Sequence, residues 1–154
     1  MSKVIVNSLA DFAALEGKDL GTSDYLKITQ EQIDKFAEAT LDFQWIHTDP
    51  ERAKKESQFG GTIAHGYLTL SILPYLWEQI IEVNNIKMQV NYGIDKLKYM
   101  EAVRANDEVR INVKVLSIKD LRGICKAEMK ITLEIKGRKK PAYIGNIIFL
   151  YHFK

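Results

Sequence analysis

The segment from Thr62 to Val83, TIAHGYLTLSILPYLWEQIIEV, constrains the fold of this chain more than any other stretch. Read at helical spacing, Ile63, Ala64, Leu68, Leu70, Ile72, Leu73, Leu76, Trp77, Ile80 and Ile81 place apolar groups on nearly every face. A helix without a polar face has to be buried all round. Pro74 lies inside it, where the ring removes an N–H donor and crowds the preceding turn, so a kink or a loosened turn is expected there. Some other part of the chain has to wrap this segment.

The wrapper lies after Ile86, where the hydrophobic period changes from helical to two. In EVRINVKVL, Val109, Ile111, Val113 and Val115 alternate with Arg110, Asn112 and Lys114. In GICKAEMKITLEI, Cys125, Ala127, Met129, Ile131 and Leu133 alternate with Lys126, Glu128, Lys130 and Thr132. Both read as half-buried strands. IKMQVNYGIDKLKYM is a weaker strand broken near Gly93, and the strongly apolar AYIGNIIFLYHF is expected to be covered on both sides. Upstream, ITQEQIDKFAEAT has Thr29 and Gln32 at capping-box spacing and Ile33, Phe36 and Ala37 on one face, which predicts a short helix from Thr29. One apolar helix and about four long strands on short turns can bury themselves in few ways. The reading is α+β: one domain over residues 1–154, with an antiparallel sheet wrapped around a long central helix, the arrangement of the hot-dog fold. Such a sheet leaves an edge strand open, so a homodimer is expected.

Lys and Arg total 22 against 20 Asp and Glu, a dispersed net charge of +2 that gives no basic footprint for nucleic acid. No apolar run reaches membrane-spanning length, and no membrane partner is expected. MSKVIVNSLADFAALEG, broken by Asn7 and Asp11, does not read as a secretory signal. The single cysteine, Cys125, lies on an alternating apolar face and reads as a small buried hydrophobe in a reducing compartment, so a cytoplasmic protein is expected. Lys136, Arg138, Lys139 and Lys140 read as a solvated turn, and His152 as structural or exposed. No His/Cys spacing suits a metal and no glycine-rich loop follows a strand, so neither metal nor cofactor is expected.

In DFQWIHTDPERA, Asp42 and His47 stand five positions apart, ahead of an Asp49 cap and Pro50 at the first position of another helix. Alone, such a pair is more often a solvated loop. A second motif, FGGTIAHGYLTLS, changes its weight. Together, ATLDFQWIHTDPERA and FGGTIAHGYLTLS resemble the MaoC-type dehydratases, also called R-specific enoyl-CoA hydratases or hydratase 2, and in particular their nodulation-protein-N-like branch. The resemblance runs from about Gly21 to the C-terminus. The family motif is Asp-x-Asn-Pro-hydrophobic-His; Asp42, Ile46 and His47 match it, while Gln44 replaces the Asn and Trp45 the Pro. Gln44 keeps an amide with which to hold the loop's hydrogen bonds, whereas Trp45 removes the proline's restriction on φ.

The resemblance implies reversible hydration of trans-2-enoyl thioesters of CoA or acyl-carrier protein to 3R-hydroxyacyl thioesters. Asp42 and His47 would hold one water and divide the two proton transfers, in an order the spacing leaves open. Charge developing on the thioester oxygen needs a fixed donor. Ala64-His65-Gly66 begins the apolar helix, where free N–H groups are found, and the family's pattern assigns the Gly66 N–H to that role. Gln44, Trp45, Ala64, His65 and Tyr67 are the expected substrate contacts. His65 also has a plainer reading, as an imidazole bonded to nearby backbone; Tyr67, Pro74 and Trp77 could line an acyl tunnel or simply be core. Two other functions fit the scaffold. A hot-dog thioesterase is disfavoured because Thr62 to Trp77 contains no carboxylate. A non-catalytic acyl-thioester-binding subunit has only Gln44 and Trp45 in its support.

Overall fold

The computed structural model describes residues 2–154. The chain opens with β1 (Val4–Val6), α1 (Leu9–Ala13), β2 (Asp19–Thr22) and β3 (Leu26–Lys27). Three helices follow, α2 (Gln30–Thr40), α3 (Trp45–Thr48) and α4 (Pro50–Glu56), and then the apolar pair α5 (Gly66–Ser71) and α6 (Leu73–Trp77). β4 (Ile81–Val83) leads into four long strands, β5 (Ile86–Tyr99), β6 (Glu108–Leu121), β7 (Ile124–Ile135) and β8 (Tyr143–Phe153).

The caps form as the sequence predicts. Thr29 Oγ1 accepts from the Gln32 N–H at the start of α2, and the Asp49 side chain accepts from the Arg52 N–H with Pro50 opening α4. Each such cap contributes about 1 kcal/mol.

The long strands join one antiparallel sheet in the order β2-β6-β7-β8-β5, with β3 also on β6. Register carries the alternation across it: Val113 faces Ile131, which faces Gly145, and Cys125 faces Tyr151. The inward set, Val109 to Val115, Cys125 to Leu133, Tyr143, Phe149 and Tyr151, closes over Leu68, Leu73, Leu76 and Trp77 of the helical pair in one core. Trp77 illustrates how the two layers lock. Its ring is buried, and Nε1 donates to the Tyr151 hydroxyl at 2.7 Å. Truncating a buried Trp typically costs about 3–5 kcal/mol. The sheet curled round a helix is the hot-dog arrangement.

The loosened turn expected around Pro74 forms at Ile72, two residues before it, in keeping with the donor that the proline lacks. The helix departs from the expected length and all-round burial in two ways. It ends at Trp77, and Ile81–Val83 becomes β4, paired in parallel with β1. Tyr67 and Tyr75 are 73% and 57% exposed, so the helix has a solvent side built from phenols, which tolerate water at one end. The final strand also differs, since only its centre, Ile147 to Phe149, is buried without interruption. Arg138 is not a free solvated charge either: it donates to the Ala102 carbonyl and pairs with Asp107 at 2.6 Å.

β5 pairs with β8 on one side, and its register shifts between Asn91 and Gly93, near the expected break. It ends the sheet order, and Met88, Val90, Tyr92 and Ile94 along it are exposed. Among the described residues, no helix is long and apolar enough to cross a membrane.

Candidate active site

The site begins where α2 ends. Leu41 takes a left-handed conformation (φ 65°) and turns the chain sharply into Asp42. The Asp42 carboxylate accepts from the Gln44 N–H at 3.4 Å, a long bond that leaves it free to meet a ligand, and its side chain is 45% exposed. One helical turn, α3, then carries His47. The Gln44 carbonyl accepts from the His47 and Thr48 N–H groups, and the Thr48 hydroxyl donates to the Phe43 and Gln44 carbonyls. The expectation that the Gln44 amide would hold the loop is corrected here: the loop is held by backbone and by Thr48, and the Gln44 side chain is exposed.

His47 is buried, and its Nδ1 lies 2.7 Å from the Ile63 carbonyl. A carbonyl oxygen only accepts, so Nδ1 carries the proton and Nε2 is left with its lone pair. Burial lowers the pKa of the ring below its ordinary 6.5, with the His65 ring acting in the same direction; the Ile63 bond and the Asp42 charge oppose them. At neutral pH His47 is therefore an uncharged base with one nitrogen open.

Gln30 was not singled out in the sequence, yet it ties the site together. Its Nε2 donates to the His47 carbonyl at 2.7 Å, and its Oε1 accepts from the Thr62 hydroxyl. The partners are 17 and 32 residues away, so no local motif could have marked it.

His65, the N-cap of α5, is 3% exposed. Its Nε2 lies 3.0 Å from the Asp42 carbonyl, and its ring stacks on that of His47 with centroids 3.9 Å apart and planes at 23°. The Phe36 ring is also against it, with centroids 4.9 Å apart. Asp42, His47 and His65 each place a ligand atom within 4.8 Å of the other two. Among the described residues this is the one such cluster close enough to share a metal ion. Each ring commits one N–H to a carbonyl, so the nitrogens left without a partner in the cluster, among the described residues, are His47 Nε2 and His65 Nδ1.

Gly66 opens α5, and among the described residues nothing accepts from its N–H. The turn behind it is secured by the Thr69 hydroxyl, which donates to the Gly66 carbonyl at 2.6 Å. A Cβ at Gly66 would stand 3.0 Å from ring carbons of Tyr99, so only glycine fits under that ring without moving it. Tyr99 gave no sequence signal, lying at the end of a weak strand. Beside Gly66 is a cavity of about 340 Å³ lined by Phe59, Ile63, Ala64, Tyr99 and Val103 among others. It is of a size suited to a small-molecule group.

The free-donor expectation for Ala64 is corrected. Its N–H is committed to the Val103 carbonyl at 2.7 Å, and the helix starts two residues later, where the Gly66 N–H is open. Ala64 lines the cavity, and Ile63 both lines it and holds His47. Gln44, Trp45 and Tyr67 are not among its walls in a single chain, and neither are Asp42, His47 and His65, which adjoin it through Ile63 and Gly66; Trp45 lies under the Arg52 guanidinium at 4.3 Å.

The chain is similar to known proteins along most of its length. The family model described as "MaoC like domain" matches residues 11–135. The chain is 42% identical over 145 residues to 3-hydroxyacyl-thioester dehydratase Z of Mycobacterium tuberculosis, covering 94% of this chain and 95% of that protein. It is 40% identical over 149 residues to Nodulation protein N of Rhizobium leguminosarum bv. viciae, covering 95% and 92%. Among solved structures, an (R)-hydratase from A. caviae involved in PHA biosynthesis superposes with a TM-score of 0.67 at 24% identity, over 84% of this chain and 93% of that one.

Proposed function

The chain belongs to the MaoC-like domain family and is an enzyme of the hydratase/dehydratase class acting on thioesters; from that premise we propose that it interconverts trans-2-enoyl and 3R-hydroxyacyl thioesters, carried by CoA or acyl-carrier protein, with Asp42 and His47 as its acid–base pair. One observation carries the reading: His47 keeps Nε2 open beside the Asp42 carboxylate, while the residue after the adjoining His65 offers an unengaged N–H.

In the hydration direction a water oxygen adds to C3, a proton leaves that water, and a proton reaches C2. Neutral His47 has the lone pair to accept the first proton, and the Asp42 carboxylate can orient the same water; the proton taken from the water is the one the pair returns to C2. As the C–O bond forms, electrons move onto the thioester oxygen. The Gly66 N–H is suited to receive that charge, and loss of one comparable donor elsewhere costs about 3 kcal/mol of transition-state stabilisation. These are proton transfers, and the reading calls for no cofactor. Helices α5 and α6 contain no carboxylate, which favours it over thioester hydrolysis by this scaffold.

The enzyme is proposed to work as a homodimer in the cytoplasm. The apolar, unpaired edge of β5 supports the first part, because a free strand edge with Met88, Val90, Tyr92 and Ile94 exposed is a template for a second copy. The same strand ends at Tyr99, with Met100 next, and both line the cavity, so pairing there would bring a partner's surface to a site whose walls are incomplete in one chain. The lone buried Cys125 supports a reducing compartment.

The test is turnover of a trans-2-enoyl chain-length series on both carriers, followed by loss of the enoyl absorbance. Product chirality is read with a 3R-specific and a 3S-specific hydroxyacyl dehydrogenase. Turnover to the 3R product is expected; no loss of absorbance on either carrier, or release of free thiol instead, would overturn the reading.

A further inference from the structure

We propose that His65 is a positioning residue, whose ring fixes the Asp42 main chain and the His47 ring to the helix start that presents the Gly66 amide. This rests on the hydration reading above.

Three observations carry it. A helix N-cap ordinarily uses its side chain to satisfy the first N–H groups of its own helix, and His65 makes no such bond. Instead its Nε2 reaches back 23 residues to the Asp42 carbonyl at 3.0 Å, so Nε2 is the protonated nitrogen. Second, the ring stacks on His47 at 3.9 Å and touches Phe36 at 4.9 Å, which limits how His47 can tilt away from its bond to Ile63. Third, the remaining nitrogen, Nδ1, is buried with no hydrogen-bond partner. Buried polar atoms are rarely left so. An apolar ring such as Phe would fill this space without an orphaned lone pair, so simple packing does not account for the imidazole. The N–H to Asp42 does.

The consequence is that acid, base and amide form one unit. Asp42 is tied to His65 through its carbonyl, His47 through its face, and Gly66 by the peptide bond that follows. Among the described residues, the titratable groups acting on His47 are Asp42, from the loop after α2, and His65, from the start of α5.

The experiment compares wild-type protein with His65→Phe, which keeps a ring and loses the N–H, and His65→Gln, whose amide N–H has about the reach of Nε2. For each, kcat and KM are measured on an enoyl-CoA that the wild type turns over, together with the backbone ¹⁵N shift of Phe43. That nitrogen shares a peptide with the Asp42 carbonyl and senses a hydrogen bond to it. Expected for His65→Phe are a kcat about ten- to a hundredfold lower, a KM within about threefold, and a moved Phe43 resonance. His65→Gln is expected to recover most of the kcat and the wild-type Phe43 shift. Wild-type kcat in His65→Phe, or an unmoved Phe43 resonance there, would overturn the proposal. If His65→Phe does not fold, a folded His65→Gln that turns over no faster than Asp42→Asn would overturn it as well. Absence of turnover in the wild type would instead sink the hydration reading, and the Phe43 shift still decides whether His65 holds the loop.

Discussion

The Nδ1–H of His47 donates to the carbonyl of Ile63 at 2.7 Å, and that bond leaves Nε2 as the nitrogen available to a ligand. Ile63 is itself fixed, since its N–H donates to the Ile46 carbonyl at 3.0 Å and it bridges to Arg104. The base is thus oriented by backbone on the strand side and by the His65 ring on its face.

The first expectation concerns pH. Burial lowers the His47 pKa below 6.5, and the neutral ring is the active form, so the acid limb of kcat/KM is expected at a midpoint below 6.5. Stability follows with a definite sign. Below pH 6.5 the unfolded chain protonates His47 while the folded one resists, so this residue's contribution, complete above 6.5, is lost as pH falls through the folded value. Melting temperatures of wild type and His47→Gln, compared from about pH 7.5 to about pH 5, check this, with the wild type losing more on acidification.

Gly66→Ala is expected to lower kcat by about ten- to a hundredfold, within the range seen when an oxyanion donor is disturbed. The new Cβ would stand 3.0 Å from the Tyr99 ring. Because Tyr99 is half exposed it can swing aside, so the stability cost is expected at about 1 kcal/mol or below. Adding Tyr99→Ala to Gly66→Ala is expected to return part of the kcat; steady-state kinetics and thermal melts on the single and double variants decide it.

Light scattering is expected to give twice the 17.7 kDa chain mass, about 35 kDa. Replacing Met88 and Val90 together by Lys places charge on the open β5 edge and is expected to yield single chains with reduced turnover. A fully active single-chain wild type would contradict the proposed pairing.

Cys125 is fully buried, and burial pushes its thiol up to about 11. At about pH 8 roughly one thiol in a thousand is then ionised, so a thiol reagent is expected to leave the folded protein unlabelled over minutes and to react at once in denaturant. Fast labelling of folded protein would contradict its place in the β7 face.

The parts of this molecule that the sequence states plainly are those with a period or a cap. Val109 to Val115 and Cys125 to Leu133 announce β6 and β7 because half-buried strands alternate, and Thr29 and Asp49 announce their helices because each has an N–H to satisfy. β1 and β3 are too short to show a period. The exposure of Tyr67 was hidden because the sequence shows how many apolar faces a helix has, while the sheet decides which of them it covers. At the candidate site, the resemblance singles out Asp42, His47 and Gly66. Gln30, Thr62 and Tyr99 carry no such signal, since their contacts span 17 to 33 residues and arise only when α2, the strip before α5 and the end of β5 meet. Gln44 shows the reverse error: an amide that looked structural by substitution turns its side chain to solvent, and its backbone makes the contacts.

The claim at the centre is that Asp42 and His47 act together on one water. The most direct measurement is a double-mutant cycle in kcat/KM on an enoyl-CoA, using Asp42→Asn, His47→Gln and the two combined. Each single change is expected to cost about 10²- to 10⁴-fold, the range for general acid–base groups, with the fold intact by circular dichroism. Because groups that work as a unit are lost together, the double variant is expected to fall no lower than the worse single one. Two losses that multiply, or a single variant that keeps the wild-type rate, would contradict it.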